Sequence, residues 1–129
     1  MPSPAETCPR TRVIVVDDRV EMAEMIAEAL CDRGYEGMAV SSPREALRVL
    51  RTERVDAVVT DLRMPEIDGL MLLDASQRLD PSRPVIVMTA YGTLETAMES
   101  TGRGAFRYLT KPFRIEALVQ VLERALNGE

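Results

Sequence analysis

A chain of 129 residues and 14.4 kDa is long enough to bury one hydrophobic core without disulfides or metal staples, and 46% apolar with 29% charged residues is far from the composition of a disordered segment. A net charge of −5 argues against the basic face that nucleic-acid binding needs, so no direct nucleic-acid contact is expected. There is no histidine, and Cys8 and Cys31 lack CxxC spacing; the usual zinc constellations are therefore missing, and a reducing, cytoplasmic setting is the simpler expectation.

Residues 1–11 hold three prolines and no periodicity and read as a flexible leader before a domain over residues 12–127. The leader has no apolar core that could serve as a signal peptide, and the apolar runs beyond it are far too short to span a bilayer, so no membrane association is expected. Residues 13–16 (VIVV) form a continuous β-branched run, as buried parallel strands do, and give strand one. Met22, Met25, Ile26, Ala29 and Leu30 then recur at steps of three and four, marking one face of a helix that Gly34 can close. A short strand over residues 37–40 follows. Ser42, Pro43 and Glu45 supply an N-cap, a first-turn proline and a capping-box partner for the second helix, whose apolar face is Ala46, Leu47 and Leu50. VDAVVT (55–60) and RPVIVMT (83–89) read as strands three and four. Residues 105–109 mix polar and apolar side chains like an edge strand, and Ile115, Leu118, Val119, Leu122, Ala125 and Leu126 describe an amphipathic final helix.

Five strands alternating with five helices predict the α/β class, a doubly wound parallel sheet with helices on both faces, because right-handed crossovers carry the chain back across the sheet. The common order for five such strands is 2-1-3-4-5, with ligands beyond the carboxyl ends of strands one and three; the residues alone do not dictate that order.

The chemistry-bearing residues follow the strands: Asp17 and Asp18 after strand one, Asp61 after strand three, Thr89 after strand four, Lys111 after strand five. Three carboxylates at one edge raise one another's proton affinity unless cations hold them ionised. Lys111 and a hard cation meet that need. Mg2+ suits an open acidic site better than calcium, because it takes few carboxylate oxygens, keeps several waters and shares its remaining positions with phosphate. A single aspartate after a strand is more often a turn former or helix cap. The combination with a hydroxyl and an ammonium at two further strand ends points instead to a phosphoryl group, its charge neutralised by metal and Lys111 and one oxygen bonded by Thr89.

The DD pair in VIVVDDR, the segment DLRMPEIDGL, the MTAYG turn and the YLTKPF segment together resemble a bacterial two-component response regulator, in its CheY-like, flavodoxin-like receiver domain. The resemblance covers residues 12–126. It implies that Asp61 accepts a phosphoryl group from a sensor histidine kinase or phosphotransfer protein, forming the mixed anhydride that carboxylate nucleophiles give. It implies Mg2+, with Mn2+ as a substitute, held by Asp18, Asp61 and the backbone carbonyl of Arg63, with Asp17 helping through water. It gives Lys111 the phosphoryl oxygens, makes Thr89 and Tyr108 the switch pair, and puts a cis bond between Lys111 and Pro112. From pattern alone Tyr108 is an edge-strand aromatic, X-Pro bonds are trans by default, and Met64, Pro65 and Gly69 belong to an ordinary strand-to-helix connection in which Gly69 supplies a permissive backbone.

DxRMPxxDGL and MTAYG are similar to receivers of nitrogen-regulator-type, enhancer-dependent transcription activators, which implies transcriptional output through a domain or partner outside this chain. The sequence departs from that type at Glu66 and in the helix before strand five, where Gly102 and Gly104 should fray the last turns. That helix, strand five and the final helix form the face through which the resemblance implies a homodimer. Among rival readings, an Asp-nucleophile phosphohydrolase wants a second aspartate where Arg63 stands, so slow self-dephosphorylation is expected rather than enzymatic turnover. A flavin carrier would not place DDRVEM where phosphate must bind. A P-loop enzyme lacks its GxxxxGK[ST]. A pseudo-receiver, a purely structural interaction domain, predicts loss of the acidic or lysine positions, all of which are present.

Overall fold

The structure is a computed structural model, and it describes residues 10–64, 68–89 and 107–128. The apolar runs become the strands β1 (Arg12–Val16), β3 (Ala57–Asp61) and β4 (Val85–Thr89), with β2 (Glu36–Val40) and β5 (Arg107–Thr110) beside them. All pairings are parallel and the order is β2-β1-β3-β4-β5, so the central strands are covered on both sides. That burial is why they read as unbroken Val/Ile runs and not as alternating ones. β5 is an edge strand, as its mixed composition suggested. Four helices are described: α1 (Val20–Asp32), α2 (Pro43–Thr52), α3 (Gly69–Leu79) and α4 (Ile115–Leu126). The helix expected between β4 and β5, with Gly102 and Gly104, lies outside the described residues, as do Pro65, Glu66, Tyr91, Cys8 and residues 1–9. The expected homodimer face therefore falls partly outside them.

Alternation along each strand divides the core into two layers. Ile14, Val16, Val58, Val85 and Val87 face α2 and α3, while Val13, Val15, Ala57, Val59, Ile86 and Met88 face α1 and α4. The buried side of α1 is Ala23, Ile26, Ala27 and Leu30, which corrects the expected face: Ile26 and Leu30 are on it, but Met25 is 59% exposed. The two alanines decide this, because small side chains let the helix backbone run hard against the sheet. A Cβ on Gly37 of β2 would stand 2.3 Å from the Ala27 carbonyl oxygen.

Gly34 closes α1 at φ +93°. Its N–H donates to the Cys31 carbonyl and that of Tyr35 to the Leu30 carbonyl, the paired bonds of a Schellman ending. At the start of α2 the Ser42 hydroxyl accepts from the Glu45 N–H at 3.4 Å, with Pro43 in the first turn. Ser42→Ala should lower stability by about 1 kcal/mol, read as a lower denaturant midpoint at unchanged slope. α3 is capped by Asp68, whose carboxylate accepts from the Met71 N–H at 2.9 Å.

The amino-terminal edge of the sheet is tied down by polar contacts. Buried Arg83 donates to the Val55 carbonyl and to Ser76 Oγ, and the Thr11 carbonyl accepts from the Glu36 N–H. Among the described residues no helix is long and apolar enough to cross a membrane.

Candidate functional site

Parallel pairing brings every strand's carboxyl end to one edge. Asp61 is in register with Met88, and Thr89 with Thr110. Three backbone bonds lock the loops leaving that edge: Asp17 N–H to the Val40 carbonyl, Leu62 N–H to Met88, and Lys111 N–H to Thr89 at 2.7 Å. Asp17, Asp18, Asp61, Thr89 and Lys111, far apart in the sequence, are thereby gathered at one edge of the sheet.

Asp17, Asp18 and Asp61 can each offer an oxygen within 4.8 Å of the others. Asp17 is fully buried, Asp61 is 14% exposed at its side chain, and Asp18 is open to solvent. Asp17 is held twice: Oδ1 accepts from the Arg19 N–H at 2.9 Å and Oδ2 from Lys111 Nζ at 2.9 Å. The same ammonium stands 3.4 Å from Asp61 Oδ1, so one cation serves two carboxylates. The Lys111–Pro112 peptide bond is cis. Thr89 is buried at the end of β4, and Tyr108, level with Val87 on β5, is half-buried.

Burial pushes the Asp61 carboxyl above its ordinary range, and the charges of Asp17 and Asp18 add to that push while Lys111 opposes it. The site thus holds more negative charge than one lysine balances, the condition that favours a bound divalent cation. A stability consequence follows. The folded chain binds the Asp61 proton more tightly than the unfolded chain, so stability falls as pH rises from the ordinary aspartate value, about 3.9, toward the raised one, and the loss persists above it. In metal-free buffer at neutral pH, Asp61→Asn should melt on the order of 2–6 °C higher than the parent. The gain should fade below about pH 4 and shrink when Mg2+ is added; a variant melting lower at neutral pH would contradict this.

Two features had little or no signal in the sequence. The Asp17–Arg19 bond is the side-chain-to-backbone turn that an aspartate makes two residues ahead, but nothing local shows that Asp17 is buried against Lys111. Gly69 is required by space: a Cβ there would lie 2.4 Å from the Asp61 carbonyl oxygen and 2.9 Å from Leu62 Cα, while its N–H donates to the Leu62 carbonyl at 2.8 Å. The first residue of α3 thus packs directly against the backbone that ends β3.

The family profile described as a response regulator receiver domain matches residues 13–123. The chain is 40% identical over 115 residues to the transcriptional regulatory protein GlrR of Escherichia coli (strain K12), covering 89% of this chain and 26% of that protein. It is 37% identical over 115 residues to the DNA-binding transcriptional regulator NtrC of Proteus hauseri, covering 89% and 24%. Its structure is similar, with a TM-score of 0.82 and 29% identity over 91% of this chain and 69% of the other, to a response regulator protein from Burkholderia pseudomallei with a phosphorylated aspartic acid, a calcium ion and citrate. The chain spans about a quarter of the length of the curated relatives it matches.

Proposed function

Because the chain belongs to the family of response regulator receiver domains, we propose that Asp61 is its phosphoacceptor, loaded from phosphohistidine on a sensor histidine kinase or phosphotransfer protein. The observation that carries this is the placing of Asp61 at the end of β3, within reach of Asp17, Asp18 and Lys111. In the transfer an Asp61 carboxylate oxygen attacks phosphorus. The new P–O bond forms as the P–N bond to imidazole breaks, and the electron pair leaves on the ring nitrogen.

Asp18, Asp61 and the Arg63 backbone carbonyl would hold Mg2+, or Mn2+ in its place, with Asp17 acting through water. The excess acidity of the cluster supports that assignment, as does the calcium ion in the Burkholderia pseudomallei protein, since both cations take oxygen ligands. When bound, the ion neutralises charge building on the transferred group. Lys111 is close enough to Asp61 to pair with a phosphoryl oxygen attached there. Thr89, one strand away, would turn its hydroxyl to another, and Tyr108 on β5 would follow into the space vacated; this pair is the switch. Arg63 stands where a phosphohydrolase keeps its acid/base residue, so loss of the phosphoryl group is slow. Transcriptional output, in a cytoplasmic setting, belongs to a domain or partner beyond this chain, as the greater length of the relatives suggests.

The test is intact-mass spectrometry after incubation with Mg2+ and acetyl phosphate. One phosphoryl increment on the wild type and none on Asp61→Asn is expected. Comparable labelling of Asp61→Asn at one site would move the acceptor elsewhere. No labelling of either, where a control receiver is labelled, would make the chain a structural pseudo-receiver.

A further inference from the structure

One side chain of β3 is polar where its packing calls for an apolar one. Thr60 is fully buried. Alternation along the strand puts it on the same face as Val58, and in register it lies between Val16 of β1 and Val87 of β4. All three valines belong to the layer that packs on α2 and α3. A fourth valine would fill this place with the same shape and no polar atom, and a buried hydroxyl is costly unless it is hydrogen-bonded. The Thr60 hydroxyl is bonded: Oγ1 donates to the Asp61 carbonyl oxygen at 3.0 Å.

That oxygen belongs to the peptide unit joining Asp61 to Leu62, which moves as one plane. The N–H of the same unit, on Leu62, donates to the Met88 carbonyl at 2.8 Å. The oxygen itself packs against Gly69, where a Cβ would stand 2.4 Å from it. With the Thr60 bond added, the plane is held at its donor and at its acceptor. The backbone of β1 has already turned away at this level: its ladder with β3 ends at Val16 and Thr60, and the next N–H on β1, that of Asp17, donates to the Val40 carbonyl. The Asp61 Cα is one corner of the plane, so a tilt of the plane shifts the carboxylate relative to Asp17, Asp18 and Lys111, which stand at the ends of other strands.

We propose that Thr60 is a positioning residue for phosphoryl transfer, its buried hydroxyl holding the Asp61–Leu62 peptide so that the Asp61 carboxylate stays aimed at the incoming phosphorus. The inference rests on Asp61 being the acceptor. Thr60 meets no reacting atom and acts only through the backbone of Asp61.

The test compares Thr60→Val, Thr60→Ser and Thr60→Ala with the parent in the full chain, which separates the hydroxyl from the methyl group. Loading is followed by intact mass with Mg2+ and acetyl phosphate, and stability by thermal melts in metal-free buffer. Thr60→Val should melt within about 3 °C of the parent, because a methyl group replaces a bonded hydroxyl in an apolar layer. It should load about tenfold more slowly, since a misplacement of a full ångström costs about 10²-fold and the tilt is smaller. Thr60→Ser should melt about 3–6 °C lower for the lost methyl group and load within about twofold of the parent, its hydroxyl being kept but less stiffly held. Thr60→Ala should melt near Thr60→Ser and load about as slowly as Thr60→Val. Stability and loading then rank the valine and serine variants in opposite orders, which a packing role cannot produce. Should Thr60→Val not fold, the serine and alanine variants make the same comparison, because they differ by the hydroxyl alone. Loading by Thr60→Val at the parent rate, or by Thr60→Ala at the Thr60→Ser rate, overturns the proposal and leaves Asp61 as the acceptor. Loading that follows melting temperature across the set overturns it too, and makes position 60 a matter of packing. No labelling of the parent, where a control receiver is labelled, overturns both this inference and the reading of Asp61.

Discussion

Lys111→Met is expected to slow phosphoryl loading by about 10²–10³-fold, the loss that follows removal of one donor aimed at developing charge in a low-dielectric site. The ammonium does two things in this structure. It bonds Asp17 at 2.9 Å and stands 3.4 Å from Asp61, so methionine removes both the contact available to a phosphoryl oxygen and a partner of a buried carboxylate. The second loss should lower the stability of the metal-free protein by about 1.5–3 kcal/mol, as for hydrogen bonds to charged groups. Added Mg2+ should return much of that stability, because the ion supplies the missing charge, and should return little of the rate. Time courses of intact mass with acetyl phosphate, paired with thermal melts in chelator and in Mg2+, separate the two effects. Loading at the wild-type rate would remove Lys111 from the transfer step.

Gly69→Ala should impair the same site from behind. Its Cβ would sit 2.4 Å from the Asp61 carbonyl oxygen and 2.9 Å from Leu62 Cα, both backbone atoms, so neither can swing aside. Relief requires the loop after β3 to move away from α3, stretching the Gly69 N–H bond to the Leu62 carbonyl. Overpacking of this kind costs about 1–3 kcal/mol. Because the displaced residue is the proposed acceptor, loading should fall as well, by about 10²-fold for a shift near 1 Å. Gly34→Ala is the control: it is strained by its φ of +93°, has nothing within 4 Å of its Cβ and is remote from the acidic edge. It should lower stability and leave loading unchanged. Normal loading by Gly69→Ala would mean that the loop absorbs the methyl group without moving Asp61.

The chain belongs to the receiver family, and its sequence records the parts of the fold and of the candidate site very unequally. The buried strands were legible because burial on both faces demands unbroken apolar residues, and β1, β3 and β4 show them without interruption. α2 was legible because Ser42 and Pro43 act within one turn, on neighbours a few residues away. Asp17, Asp18, Asp61, Thr89 and Lys111 could be named because each follows a strand. The leader's last two residues were harder: Arg10 and Thr11 carry no pattern, yet their carbonyls accept from Arg54 and Glu36, partners that local sequence does not reveal.

The sequence by itself determined the strands, the helices α1, α2 and α4, and which side chains stand at strand ends, because hydrophobic period and capping are properties of neighbours in the chain; α3 had no such reading. Tertiary structure alone decided the strand order, the exposure of Met25, the burial of Asp17 against Lys111 94 positions away, and the need for glycine at position 69. Each of these depends on what lies across a gap of a few ångströms between segments distant in sequence, and neither periodicity nor spacing carries that distance.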